Sequence, residues 1–270
     1  MTEKTDTDVL EEISRFLQYH KSLGIKVYPR TQMLDRFLEK HKENMLPLPR
    51  PETPTPQKEG EYSRPVKQKH VFDPGLSTKV TLRDVREELG DCKRCRLQET
   101  RTHIVFGQGP SNAKLLIVAD APGGDDDRQC APFQGDTGDL LDKMLAAISL
   151  SRDEVYITTL VKCYPGAHAK PGADEIKTCL PFLFRQIEII CPTVILTMGM
   201  LAAQTLLHSR KSLFQLRGRF YNFNDLCSTT LENKIIIMPS LHPSLLLENS
   251  DLKKASWRDL QMIQKKLAEG

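Results

Sequence analysis

No stretch of this 270-residue chain is apolar for long enough to cross a bilayer. Its longest apolar runs, such as Leu115–Ala119 and residues 235–238, are strand-sized, far short of the ~20 residues a membrane helix needs. The start, Met1 to Val9, is acidic and polar, with no basic segment leading into an apolar one, so no secretory leader is expected. Together these absences predict a cytoplasmic protein with no membrane partner. Charge of one sign is also lacking. A formal net charge of +3 neither requires nor excludes a nucleic-acid partner, because a local basic patch matters more than the total. An even cysteine set is missing too. The seven cysteines, at 92, 95, 130, 163, 179, 191 and 227, argue against a disulfide framework and for metal ligation or isolated core thiols. No internal repeat is found.

What is present is enough for a globular core, with 39% apolar and 27% charged residues. The length suits one large domain plus an appendage. Residues 1–45 carry Val9, Leu10, Ile13, Phe16 and Leu17 at helical spacing, with a second short helix expected over 32–40. They read as a helical extension that packs on the main domain or on a protein partner. Residues 46–79 are rich in proline and polar side chains, which predicts an extended, semi-rigid linker. From residue 80 onward the pattern alternates. Helices are expected at 81–89, 137–150, 173–190, 200–208 and 251–268, and continuously apolar strands at 114–119, 155–160, 193–198 and 234–238. Continuously apolar strands between helices imply a three-layer α/β/α domain over 80–270, with a central four-stranded parallel sheet. Sites in such folds lie at the carboxyl ends of the strands, so the loops 119–135, 159–172 and 239–247, together with residue 199, should share one edge.

Three groups of residues carry chemistry. Cys92 and Cys95 form a C-x-x-C turn, while Cys163 follows the second strand and Cys179 lies sixteen positions on, in the next helix. Four thiolates complete either a tetrahedral zinc site or an iron-sulfur cluster, and spacing alone does not choose between them. Cys130, Cys191 and Cys227 lack such a context and read as isolated core thiols. The loop after the first strand runs Ala119-Asp120-Ala121-Pro122-Gly123-Gly124, and its glycines let backbone approach a ligand closely. Its acidic run, Asp125 to Asp127, reads as a solvated turn, although it resembles a metal-binding cluster. Phe133, between Pro132 and Gly135, is either displayed to stack on a base or staples the loop to the core. His242, at a strand's carboxyl end before the rigid Pro243, is either an acid-base or electrostatic group or a structural histidine.

In order, the chain shows C-x-x-C, A-D-A-P-G-G, P-F-x-G-x-x-G-x-L-L-D over 132–142, Y-I-T-T-L-V-K-C over 156–163, C-x-P-x-L over 179–183 and H-P-S at 242–244. The combination resembles the family 4 uracil-DNA glycosylases, the iron-sulfur branch of that superfamily, over about residues 88–268. The resemblance implies a structural 4Fe-4S cluster on Cys92, Cys95, Cys163 and Cys179. It also implies that Phe133 stacks on an extruded base, that His242 stands beside the base's O2, and that 243–247, with Ser244 and Leu245, enter the minor groove. Ala121, Pro122 and Gly123 are expected to line the base site. The partner so implied is DNA holding uracil or another deaminated base, met at the nucleoid of a bacterial-type cell.

Two positions depart from the family pattern. Asp120 stands where the family has glutamate, keeping the charge with one methylene less. Thr159 stands where the family reads the base with asparagine, whose amide can both donate and accept, whereas a threonine hydroxyl makes a single contact. This leaves three expectations: a uracil glycosylase, a glycosylase moved toward hypoxanthine or xanthine, or a DNA-damage-binding protein of the same fold with weak or no catalysis. In the enzyme, His242 and backbone N–H groups near Asp120 and Ala121 would stabilise the leaving base, and Asp120 would position water or stabilise the sugar cation. Lys162, Arg217, Arg219 and Lys254 are expected phosphate contacts.

Overall fold

A computed structural model describes residues 80–167, 169–223 and 234–269. The helical extension and proline-rich linker expected over 1–79 lie outside the described residues, as does Cys227.

The fold opens with helix α1 (Leu82–Leu89), started by a capping box in which Thr81 and Asp84 each satisfy the other's backbone N–H. Then follow β1 (Leu115–Ala119), α2 (Gly124–Gln129), α3 (Asp136–Ala146), β2 (Val155–Thr159) and α4 (Ala173–Ile190). The second half holds β3 (Val194–Met198), α5 (Met200–Leu206), the short α6 (Leu213–Leu216), β4 (Tyr221–Asn222), β5 (Ile236–Ser240), α7 (Pro243–Glu248) and α8 (Lys253–Ala268). Among the described residues no helix is long and apolar enough to cross a membrane.

The sheet order is β2-β1-β3-β5-β4. The four longer strands are parallel, as expected. A fifth, β4, pairs antiparallel with β5 and was not expected, because two residues are too few to leave an alternation in the sequence. Successive side chains of a strand point to opposite faces, and both faces are covered here, so the strands read as unbroken apolar runs. Leu116, Val118, Ile195 and Ile237 pack toward α4 and α5. Leu115, Ile117, Leu196 and Met238 pack toward α3 and α8. Helix α3 stops at Ala146, earlier than expected, and the following turn holds Ser149 at φ 61.

The parallel register brings Thr159, Ala119, Met198 and Ser240 level at the carboxyl edge. The order of strand addition reverses between β1 and β3, which opens a crevice beyond their carboxyl ends. Both outer edges are partly covered: β4 lies along β5, and the segment before β1 runs along β2, with Gln108 exchanging two backbone hydrogen bonds with Ile157.

Candidate active site and four-cysteine centre

Asp120 is the first residue past β1, at the crevice. Its Oδ1 accepts the Ala202 N–H at 2.7 Å, and the N–H groups of Leu201 and Met200 also face it. The carboxylate therefore sits on the first turn of α5, where backbone N–H groups favour negative charge. Burial nonetheless pushes its pKa up to about 6, against the pull of those amides. Gly199, at φ 130, makes this possible, because a Cβ there would clash with the Asp120 carboxylate.

The loop after Asp120 is tied down by the acidic run. Asp126 accepts from Gly123 N–H at 3.0 Å and Gln134 N–H at 2.7 Å, which joins the two ends of the loop. Asp127 accepts from Thr102 and His103 N–H, and Asp125 pairs with Arg128. The expectation of a solvated turn is corrected: α2 turns Asp126 and Asp127 inward, where they clamp backbone. Phe133 is 3% exposed at φ 55, so it is not displayed, and its ring stacks on His242 at 5.2 Å between centroids. Arg152 holds the Pro132 and Phe133 carbonyls at 3.1 and 3.0 Å while pairing with Asp142. A Cβ at Gly138 would clash with the Phe133 carbonyl oxygen, which explains the second glycine of the motif. Gly138→Ala should therefore displace Phe133. A stability loss of about 1–3 kcal/mol is expected, as for an overpacked core, and thermal unfolding measures it.

His242 is the N-cap of α7, with Pro243 at the first helical position. Its Nδ1 accepts the Ser244 backbone N–H at 3.2 Å and lies 2.8 Å from the Ser244 hydroxyl. A ring nitrogen that accepts carries no proton, so the neutral imidazole holds its hydrogen on Nε2. Burial lowers the pKa to about 4, so the ring is neutral at pH 7. Leu245 is half-buried, Ser244 is exposed and Leu247 is largely exposed, on the outer side of α7.

The four cysteines named from spacing converge. Cys92, Cys95, Cys163 and Cys179 line one cavity, walled by Leu89, Leu97, Ile104, Val161 and Phe182. Arg94 donates to Cys92 Sγ at 3.3 Å, Arg101 donates to Cys163 Sγ at 3.5 Å, and the Lys162 backbone N–H donates to Cys179. Burial pushes the Cys163 thiol up to about 11 and raises that of Cys179, so without a bound group both thiols stay protonated at neutral pH. Among the described residues, no three His, Cys, Asp or Glu side chains stand close enough to hold a single metal ion.

A family profile described as the uracil DNA glycosylase superfamily matches residues 106–261. A type-4 uracil-DNA glycosylase of Sulfurisphaera tokodaii is 37% identical over 193 residues, covering 68% of this chain and 84% of the relative. Those of Saccharolobus solfataricus and Archaeoglobus fulgidus are 34% and 33% identical, covering 85% and 92% of the relatives. The chain is a type-4 member of the uracil DNA glycosylase superfamily.

Within this uracil DNA glycosylase fold, several residues stand elsewhere than the sequence placed them. Lys162 is not on the surface: it is 1% exposed, and its ammonium donates to Thr158 Oγ1 at 2.6 Å, Thr159 carbonyl at 2.7 Å and Gln186 Oε1 at 2.7 Å. Arg217 turns inward to Asp259, with contacts of 3.1 and 2.8 Å. Arg219 and Lys254 stay exposed. Cys130 is exposed rather than a core thiol, because it ends α2 in the left-handed conformation. The Thr159 side chain is buried, and its hydroxyl donates to the Val161 carbonyl at 2.7 Å. Sequence reading missed the buried Asp259, which accepts from Ser240 Oγ at 2.7 Å two residues before His242. A Ser at a strand end and an Asp nineteen residues on leave no joint signal. Gly199 had one, as a glycine directly after an apolar strand.

Proposed function

We propose that this protein is a DNA-repair glycosylase that removes uracil from DNA by hydrolysing its N-glycosidic bond. The observation that carries the reading is His242, a neutral imidazole whose Nε2–H has no hydrogen-bond acceptor among the described residues, stacked on Phe133 at the carboxyl edge of the sheet. Excision leaves the base as an anion and gives the sugar cationic character, so the group that matters is a fixed donor aimed at the base. The extruded base lies at the carboxyl edge of the sheet beside the stacked Phe133 and His242 rings, with Nε2–H turned to its O2. Asp120, anionic above pH 6, stabilises the sugar cation or holds the attacking water. Leu245 and Leu247 on α7 enter the minor groove, and Arg219 and Lys254 meet phosphates.

The four-cysteine centre fits a 4Fe-4S cluster rather than a single zinc ion. The donors are four thiols facing one apolar cavity, with guanidinium and amide donors on three of the sulfurs. Cys92, Cys95, Cys163 and Cys179 would hold it, and it would supply a cross-link between the segment after α1, the end of β2 and α4. Absorbance near ~400 nm checks it.

A second reading rests on Thr159. Its hydroxyl hydrogen goes to Val161, so it has no donor left for a carbonyl on the base edge. Losing such a contact costs about 1–3 kcal/mol, which favours a shift toward hypoxanthine or xanthine. The deciding experiment is alkali-induced cleavage of end-labelled duplexes with one uracil, hypoxanthine or xanthine. Cleavage at uracil supports the first reading, and cleavage at a deaminated purine alone supports the second. Intact strands from protein with its cluster in place overturn both and leave a binding protein.

A further inference from the structure

The Lys162 side chain is buried with neutral acceptors around it, a threonine hydroxyl, a backbone carbonyl and a glutamine amide oxygen, and burial lowers its pKa to about 7. None of the described ion pairs includes it. A fully desolvated charge costs several kcal/mol unless an opposite charge compensates it. Among the described residues around it, the four-cysteine centre is the group that becomes anionic, once its thiols are bound as thiolates. Lys162 lines that cavity, precedes Cys163 in sequence and gives its backbone N–H to Cys179. Four thiolates around a cluster carry net negative charge. Arg94 and Arg101 also serve that centre, Arg94 tied to the α1 carbonyls and Arg101 to Asp91. Lys162 reaches it from the end of β2. The same ammonium holds the Thr159 carbonyl and the Thr158 hydroxyl, at the end of β2 beside Asp120's strand.

We infer that Lys162 is the internal countercation of the four-cysteine cluster and the positioning residue that fastens the base-site end of β2 to it. The inference rests on the cluster reading above. It explains why a lysine is sealed in a layer that otherwise holds apolar side chains and uncharged polar ones. It also gives the cluster a way to act on the site without electron transfer: when the cluster is lost, the ammonium is left uncompensated, and the strand end it anchors loosens.

The test uses the cluster-loaded protein and two variants. Lys162→Met removes the charge at similar volume, and Lys162→Arg keeps it. The readouts are the reduction potential of the cluster and the rate at which a chelator strips its iron. Potential responds to charge near the cluster, whereas a purely structural lysine would not set it. Lys162→Met is expected to shift the potential to more negative values and to speed iron loss by roughly tenfold or more, with Lys162→Arg recovering most of both. If Lys162→Met does not fold, Gln186→Met loosens the ammonium without removing its charge, and it should leave the potential near wild type while speeding iron loss. Equal potentials and equal iron loss in wild type and Lys162→Met overturn the inference. So does a changed potential in Gln186→Met as large as a charge loss would give. Protein that never shows a cluster fails the cofactor reading instead, and the two failures are told apart by absorbance near ~400 nm.

Discussion

Replacing His242 by alanine is expected to slow uracil excision by roughly 10²–10³-fold, the usual effect of removing one donor from a developing anion. The structure gives this loss two separable parts. The ring's Nδ1 caps α7 by accepting the Ser244 N–H, and its Nε2–H is the donor left for the substrate. Alanine removes both functions, so it should also cost about 1 kcal/mol of stability through the lost cap. His242→Asn separates them. Asparagine is a good N-cap, so it should restore the melting temperature while leaving excision slow, because its amide is shorter than the imidazole and points at Ser244. An alanine variant that excises at the wild-type rate would remove His242 from the chemistry. The pH profile adds an independent check. With a pKa near 4, His242 is neutral throughout the physiological range, so no alkaline or neutral limb should come from it.

Asp120→Asn should give the opposite signs for rate and stability. The carboxylate is half-buried at the crevice, and desolvation raises its pKa to about 6, so the folded state holds that proton more tightly than the unfolded chain, where the value is 3.8. Between those two values the folded protein binds more protons. Wild-type stability therefore falls as pH rises through this window and stays lower above it. A shift of about two units corresponds to about 3 kcal/mol, with the opposing pull of the Met200, Leu201 and Ala202 amides already contained in it. Asparagine keeps an acceptor for the Ala202 N–H and carries no charge. The variant should melt higher than wild type at pH 7, by an amount that vanishes below pH 4. Excision should fall by roughly 10²–10⁴-fold, the range for losing a positioned acid-base group. In the wild-type enzyme the same carboxylate predicts a rate that drops about tenfold per pH unit below 6. A variant that melts lower at pH 7 would mean that the helix amides stabilise the anion more than burial penalises it.

Much of this site could be read before any coordinates. The strands announced themselves as apolar runs because both faces of the sheet are covered. Cys92, Cys95, Cys163 and Cys179 could be grouped because chemistry demands four soft donors. Residues whose role depends on a distant partner could not be placed. Lys162 looks like any surface lysine until Gln186, twenty-four residues away, brings its amide to it. Arg217 looked like a phosphate contact until Asp259 of α8 was seen beneath it. Asp126 and Asp127 looked solvated because nothing local says that α2 will roll them inward. Lys162, Arg217 and Asp127 each read as surface charges, and each is held by a partner more than twenty residues away, whereas Asp126 is held by Gly123 and Gln134 close by. The buried ring of Phe133 follows the same rule, since its cover, His242, lies more than a hundred residues on.

The borders of the sheet have a consequence beyond the site. A long strand with free N–H and C=O groups is a template on which another chain can lay its own strand, the first step toward fibrils and insoluble assemblies. Here the β5 side ends in a two-residue ribbon running the other way, too short to be copied. On the β2 side, Val105 and Gln108 already occupy groups at Lys162 and Ile157, and Gly109 passes so close to Val155 that only a residue without Cβ fits. A sheet with such borders can keep its four parallel strands fully apolar and still resist joining another copy edge to edge.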